Sequence, residues 1–470
     1  MSYQCLEDII AAEGSILPTL RQSKAGMYLY PGVAPEFSNW RDEQRAWRES
    51  AVLFDQSHHM HEAIVEGPEA FEFLQGLAVN SFANFDTRRG KQFICVNPEG
   101  WFIGDMVAFR EKPQQFILVG REVIANWVEF NATQSGHNVR VRRDARSPAR
   151  PDGRPIQRSR YRFQIQGPQA PEIFEKLHGG PLPQIPFFQI GSLQIGTRTV
   201  RALRHGMAGA PGLEIWGPSE DKPYIRETIL EAAQSLGIDL RQVGSRAYPT
   251  NTLESGWIPN PLPAVYTGDG LMKRYRQWLP VDSYEASGAL GGSFETDDVR
   301  DYYVTPWDMG YGNFIKYDHE FIGREALIAM QDRRHRRKVT FEWNGEDVVK
   351  VMASAFQRET LPFKWLELPW VSYAATTVDR VMQGSRAVGV SLFTGYSYNE
   401  RCVLSLGMVD SDVKDSEILE LIWGEPDGGR GLASVEFHQQ TSIRVRVSPV
   451  PYARAAREEY ASGWRTAQST

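Results

Sequence analysis

Ile64-Val65-Glu66-Gly67-Pro68-Glu69-Ala70-Phe71 and Ile165-Gln166-Gly167-Pro168-Gln169-Ala170-Pro171 are two copies of one device, with Gly67 and Gly167 standing 100 positions apart. Each reads as a strand that ends in Gly-Pro and runs into an amphipathic helix. Glycine permits the sharp exit, and proline suits the first helical turn. The first helix continues through Phe71, Phe73, Leu74 and Leu77, the second through Ile173, Phe174 and Leu177. Downstream of the first copy, Gln92–Val96 and Trp101–Arg110 flank the turn Asn97-Pro98-Glu99-Gly100, a hairpin signal. Strand Gln115–Val119, helix Glu122–Thr133 and strand Asn138–Arg142 follow. The second copy is followed by Leu193–Ile195, Val200–Arg204, Leu213–Trp216 and a helix from Lys222 to Leu236. The pattern predicts an α+β chain with two ferredoxin-like α+β units, joined by an Arg- and Pro-rich linker over Arg140–Arg162.

From about Lys338 the texture changes to short strands with Gly-rich turns. Val339–Trp343, Val388–Phe393, Val403–Met408, Ile418–Trp423, Ala433–Phe437 and Ile443–Val447 predict a separate antiparallel β-barrel. Pro261–Arg300 reads as a long loop, and long loops in compact proteins are often functional.

With 470 residues, two or three cores are expected. An apolar content of 41% with 23% charged residues is a globular composition. The net charge of −6 disfavours a nucleic-acid partner, since the basic stretches are local and carry no interleaved aromatics. Cys5, Cys95 and Cys402 form no CxxC pair, and their odd number argues against a disulfide framework. The acidic start is unlike a secretory signal, and no apolar run is long enough for a membrane span. A cytoplasmic protein without a membrane partner is the expectation; oligomeric state is not legible.

Chemistry is expected first at Leu53-Phe54-Asp55-Gln56-Ser57-His58-His59-Met60-His61, which holds three of the nine histidines. Histidine is the side chain best suited to proton traffic near neutral pH. On a strand, His58 and His59 would point to opposite faces, and His58 is taken as the structural one. His59-x-His61 could form half a metal site, but no second cluster supplies further ligands, so no metal is expected.

These motifs resemble the glycine-cleavage aminomethyltransferase (T-protein) family. Leu53–His58, Gly67-Pro68, Gly104-Asp105, Leu253-Glu254-Ser255-Gly256 and Phe321-Ile322-Gly323-Arg324-Glu325-Ala326-Leu327 match its motifs in order over almost the whole chain. The resemblance implies a three-domain ring with tetrahydrofolate bound in its hole. The expected division is 1–55 with 155–335 as a folate-binding α+β domain, 56–154 as the second ferredoxin-like domain, and 336–470 as the barrel.

The departures point to one branch. An additional histidine stands at His58-His59. Ala247-Tyr248-Pro249 replaces the family's Arg-Asp, and Gly120-Arg121 replaces its Asn-Ala. Together with Val33–Trp40, Ser255–Pro259 and Gly395–Glu400, this set resembles the tetrahydrofolate-dependent aryl O-demethylases of lignin-aromatic catabolism. That likeness implies methyl transfer from a methoxybenzoate such as vanillate, syringate or 3-O-methylgallate to N5 of tetrahydrofolate. The products would be 5-methyltetrahydrofolate and a catechol-type phenol.

On this reading Tyr248 and His59 are catalytic, at the ether oxygen. Arg121 offers a bidentate fork to the benzoate carboxylate. Tyr28, Tyr30 and Gln56 contact the substrate. Glu214, Gln164, Trp257 and Asp105 hold the folate. Blander roles stand beside these. Tyr248 before Pro249 could cap an extended segment, and Trp257 and Tyr30 could be core aromatics. The alternatives are an aminomethyltransferase or N-demethylating enzyme of the same fold, or a non-catalytic folate-binding protein.

Overall fold

Gly67 and Gly167 turn the chain out of a strand with φ of +142° and +132°. A Cβ at Gly67 would collide with the Asn138 carbonyl oxygen, and one at Gly167 with that of Ser50. Each corner lies where a neighbouring backbone crosses it, a place only glycine tolerates. In the computed structural model, which describes residues 3–25, 30–147 and 155–464, the corners occupy equivalent places in two related sheets.

The first sheet runs, in spatial order, Gly90–Val96, Phe102–Lys112, Gln115–Gly120, His61–Glu66, Arg140–Asp144, antiparallel throughout. Helices Ala70–Gln75 and Glu122–Gln134 belong to it. The second follows the same order with Ile190–Ile195, Arg198–Arg204, Gly212–Pro218, Arg160–Gln166 and Leu240–Gln242. It differs by one insertion. Ala51–Asp55 enters between the last two strands, antiparallel to Arg160–Gln166 and parallel to Leu240–Gln242. Both units are therefore βαβββαβ, and the duplication read from the two Gly-Pro corners is present.

Each sheet buries one face against its own helices. In the six-stranded sheet, Phe163, Ile165, Leu213 and Ile215 pack on Phe174 and Ile229. Full burial of such side chains contributes roughly 1.5–3 kcal/mol each. The opposite faces of the two sheets meet through Ile64, Phe109 and Ile117 on one side and Ile190, Leu203 and Trp216 on the other. Arg162 lies in this junction, ion-paired to Glu62 at 3.1 Å and to Glu214. Arg158 is likewise buried, 3.0 Å from Asp144. The basic stretch expected to be an Arg- and Pro-rich linker thus carries two buried, paired arginines on its C-terminal side.

The C-terminal part is a closed six-stranded barrel of Arg337–Trp343, Cys402–Val409, Arg386–Ser397, Asp379–Gln383, Ile418–Trp423 and Thr441–Ser448. Ala433–Phe437 is not one of its strands. Asp379–Gln383 closes the barrel instead, and Phe437 is half exposed in a loop. Pro261–Arg300 is not a structureless loop either. It contains helix Leu271–Trp278, whose Met272 and Tyr275 are buried.

Glu254 locks the barrel to the N-terminal helix Trp40–Glu49. Its carboxylate accepts from Trp47 Nε1 (3.0 Å), Arg48 Nη2 (2.8 Å), Ser397 Oγ (2.7 Å) and Asn399 Nδ2 (3.1 Å). Four donors compensate the burial of one charge. Glu254 lies on the short helix Asn251–Ser255, directly after the Tyr248–Thr250 turn, so the lock also fixes Tyr248. Among the described residues no helix is long and apolar enough to cross a membrane.

Candidate active site

Gln56 to Met60 form a turn rather than a strand, and the next strand begins only at His61. The reason is topological, because Ala51–Asp55 belongs to one sheet and His61–Glu66 to the other. The connection must leave the first sheet, and it presents its histidines in different directions. His58 lies 3.0 Å from Ser147 Oγ and 3.2 Å from Lys222 Nζ. His59 Nε2 lies 3.1 Å from Tyr248 Oη. His61 Nε2 lies 3.1 Å from Glu122. With His59 and His61 directed to separate partners, the His59-x-His61 half-site is not formed. Among the described residues, no cluster of three or more His, Cys, Asp or Glu is arranged to hold a metal ion.

The Tyr248–His59 pair sits in an aromatic frame. Tyr30 lies 5.3 Å from both rings, and Phe54 meets Tyr248 edge-on at 5.3 Å. Trp370 flanks Tyr30 at 6.3 Å. Desolvation pushes His59 down to about 3, so its imidazole is neutral at physiological pH and can exchange a hydrogen bond with the phenol. Its buried Nδ1 has no hydrogen-bond partner among the described residues.

Burial likewise lowers His58, to about 4, with the Lys222 charge adding to the effect. In the unfolded chain both rings take up protons near pH 6.5. Between that value and their folded values the unfolded state binds more protons, so stability falls as pH drops. The thermal midpoint is expected to decline from pH 7 towards pH 4, and His59→Gln should flatten that decline. Calorimetry across this range checks it.

Phe54, Gln164 and Glu214 stand directly opposite one another on adjacent strands and share one sheet face. Gln56 Nε2 donates to Gln164 Oε1 at 3.1 Å, and its own buried Oε1 finds no partner among the described residues. Gln164 Nε2 donates to the His205 carbonyl at 3.0 Å. Glu214 is buried and held by Arg162.

Asp105 and Trp257 form a second group. Asp105 is buried, accepts from Tyr311 Oη at 3.0 Å and from Gln92, and interacts with Trp257. Desolvation raises its carboxyl above the usual range. Lys338, half-buried, is pushed down to about 8 by desolvation, which the Asp105 charge partly offsets. Trp257 is 40% exposed and therefore not a core aromatic. Arg121 precedes helix Glu122–Gln134 in extended conformation, donates to Tyr284 Oη at 2.9 Å, and acts by its charge on Asp105.

Residues of the first group thus touch one another, while Arg121 contacts the Asp105 side rather than the Tyr248–His59 pair. Tyr28 lies outside the described residues. Met207, Gln92, Tyr311 and Arg162 join the site without having been expected. Only Met207 carried any local signal, standing between glycines in Gly206-Met207-Ala208-Gly209.

A cavity of about 540 Å³ lies beside these groups, although none of the expected site residues lines it. Gln92, the partner of Asp105, and His205, the partner of Gln164, both line it, together with Phe187, Phe188, Phe314 and Lys316. That volume and aromatic lining suit an organic ligand with a flat ring system. A further cavity, of about 580 Å³ beside Arg21 and Glu425, touches none of these residues.

The GCVT N-terminal domain family matches residues 13–259. The chain belongs to this family. A syringate O-demethylase from Sphingobium sp. (strain NBRC 103272 / SYK-6) is 44% identical over 98% of both chains. A sesamin methylene transferase from Sinomonas sp. (strain No.22) is 27% identical over 90% of each. Among solved structures, the glycine cleavage system aminomethyltransferase T from Bartonella henselae superposes with a TM-score of 0.58 at 17% identity. It covers 95% of this chain and 97% of its own. The GCVT family member described here therefore has the aminomethyltransferase T fold, two related α+β units and a closed barrel included.

Proposed function

We propose that this chain is a tetrahydrofolate-dependent aryl O-demethylase acting on a methoxybenzoate of the syringate, vanillate or 3-O-methylgallate type. The observation that carries this reading is the Tyr248 hydroxyl, 3.1 Å from a neutral histidine inside an aromatic frame. The 44% identity to a syringate O-demethylase over nearly the whole chain supports it. So do the buried Gln56 Oε1 and His59 Nδ1, which have no hydrogen-bond partner among the described residues.

Tetrahydrofolate supplies N5 as the nucleophile and methyl acceptor. The protein's part is to make phenolate a better leaving group. As the methyl carbon leaves oxygen, the electron pair of the C–O bond stays on that oxygen. Tyr248 delivers its proton there, and the proton lost from N5 restores the balance. His59 sets the orientation of the tyrosine hydroxyl. Tyr30 and Gln56 hold the aromatic substrate, and Arg121 takes its carboxylate. Gln164, Glu214, Trp257 and Asp105 take the folate.

The test is incubation with syringate and vanillate, each with and without tetrahydrofolate, read by mass spectrometry. Folate-dependent loss of one methyl, with equal 5-methyltetrahydrofolate, is expected. Folate bound with no loss of methyl would overturn the reading. A second reading, transfer of a methylene carbon, is favoured by the relative from Sinomonas. A parallel incubation with sesamin in place of the methoxybenzoates tests it, since a methoxy group holds no methylene to give; the folate product would be about 2 mass units lighter than the methyl form.

A further inference from the structure

Met207 lies on the loop between strands Arg198–Arg204 and Gly212–Pro218. Its sulfur is 3.6 Å from Tyr248 Oη and 3.3 Å from Gln56 Nε2. Two polar groups from different elements converge on one thioether, which is only a weak acceptor. A substrate oxygen competes for either group at little cost.

The loop itself cannot retreat. Gln164 Nε2 holds the His205 carbonyl, and Ala208 N donates to Gln166 Oε1 at 2.7 Å. Tyr460 and Ala456, on the helix Ala455–Trp464, pack directly on Gly206 and Gly209. The backbone is pinned on both sides while the unbranched side chain keeps three rotatable bonds. Met207 is half-buried, so there is room for it to move.

This inference rests on the proposed function. If Tyr248 donates to the leaving oxygen, that oxygen lies about 3 Å from Oη. Gln56 then faces the neighbouring ring hydroxyl. A sulfur within reach of both groups lies against the oxygen-bearing edge of the ring. We propose that Met207 is the specificity-determining wall at that edge, and that its flexibility sets which group is accepted on the far side of the hydroxyl. That position carries hydrogen in vanillate, hydroxyl in 3-O-methylgallate and methoxy in syringate.

The experiment compares kcat/KM for the three substrates in the parent, Met207→Ala and Met207→Ile. A truncated side chain opens the edge, and a β-branched one of similar volume stiffens it. One methylene-sized change in such a wall is worth roughly 10- to 200-fold in discrimination. Met207→Ala is expected to raise the syringate-to-vanillate ratio by about tenfold or more, and Met207→Ile to lower it by a similar factor. A merely structural role would depress all three substrates equally, so ratios within about twofold of the parent overturn the proposal. Should Met207→Ile fail to fold, the ratio in Met207→Ala decides. A parent that demethylates none of the three overturns the proposed function itself, an outcome distinct from unmoved ratios in an active enzyme.

Discussion

Tyr248→Phe is expected to lower turnover by about 10²–10⁴-fold while leaving tetrahydrofolate affinity within about threefold of the parent, as removal of a general acid does. The substitution deletes one oxygen from a buried site. Phe keeps the contacts with Tyr30, Phe54 and His59, so the frame that shapes the site survives. His59 Nε2 loses its partner at 3.1 Å, a net cost of roughly 0.5–1.5 kcal/mol in stability, too small to unfold the protein. Tyr248 touches neither Glu214 nor Asp105, the residues assigned to the folate, so binding of that ligand should be spared. Single-turnover kinetics with syringate, beside a folate titration, separates the two quantities. Full turnover in this variant would remove the proton donor from the mechanism. His59→Gln should cost less than Tyr248→Phe, since it orients the hydroxyl without supplying the proton.

The parts of the molecule that could be read from the sequence are those whose physics is local. Gly67 and Gly167 are needed by their own backbone angles, so the duplication was visible in two short stretches, Ile64–Phe71 and Ile165–Pro171. Barrel strands such as Cys402–Val409 announce themselves by a mostly apolar run, buried from Val403 onward. Asp379–Gln383 did not, because an edge-like run of Asp, Arg and Gln around Val381 has too little apolar signal. Ala433–Phe437 misled by the opposite route, alternating correctly while remaining a loop. In the site, the density of histidines was legible, but the partner that separates His59 from His58 lies 189 positions away. Composition made Arg162 look solvated, for its carboxylates are 52 and 100 positions distant. Met207 makes its two contacts from a turn that no periodicity predicts.

That arginine carries the largest expected effect on stability. Arg162 is almost fully buried between the sheets, with Glu62 from one and Glu214 from the other. Phe109 and Trp216 cover its guanidinium at 5.0 Å each. The two carboxylates hold its charge firmly, raising its pKa in spite of burial. Arg162→Met keeps an apolar chain between the rings but strips the buried Glu214 of its partner and leaves the facing Glu62 only its longer contact with Arg160, at 3.5 Å. Breaking a buried pair in this way costs about 3–5 kcal/mol. Repulsion and burial would then raise both carboxyl groups above their unfolded values. A carboxyl with a raised folded pKa binds more protons folded than unfolded, so stability falls as pH rises. Unlike the parent, the variant should be more stable near pH 5 than near pH 8, which denaturant titration at the two pH values measures. Adding Glu62→Gln and Glu214→Gln should restore most of the loss, because the cost lies in the stranded charges rather than in a missing attraction. Restored stability would not bring back folate affinity, since the Glu214 carboxylate proposed to receive the pterin would be gone. Loss of stability with retained folate binding in the triple variant would remove Glu214 from the folate site and leave it a structural ion between the sheets.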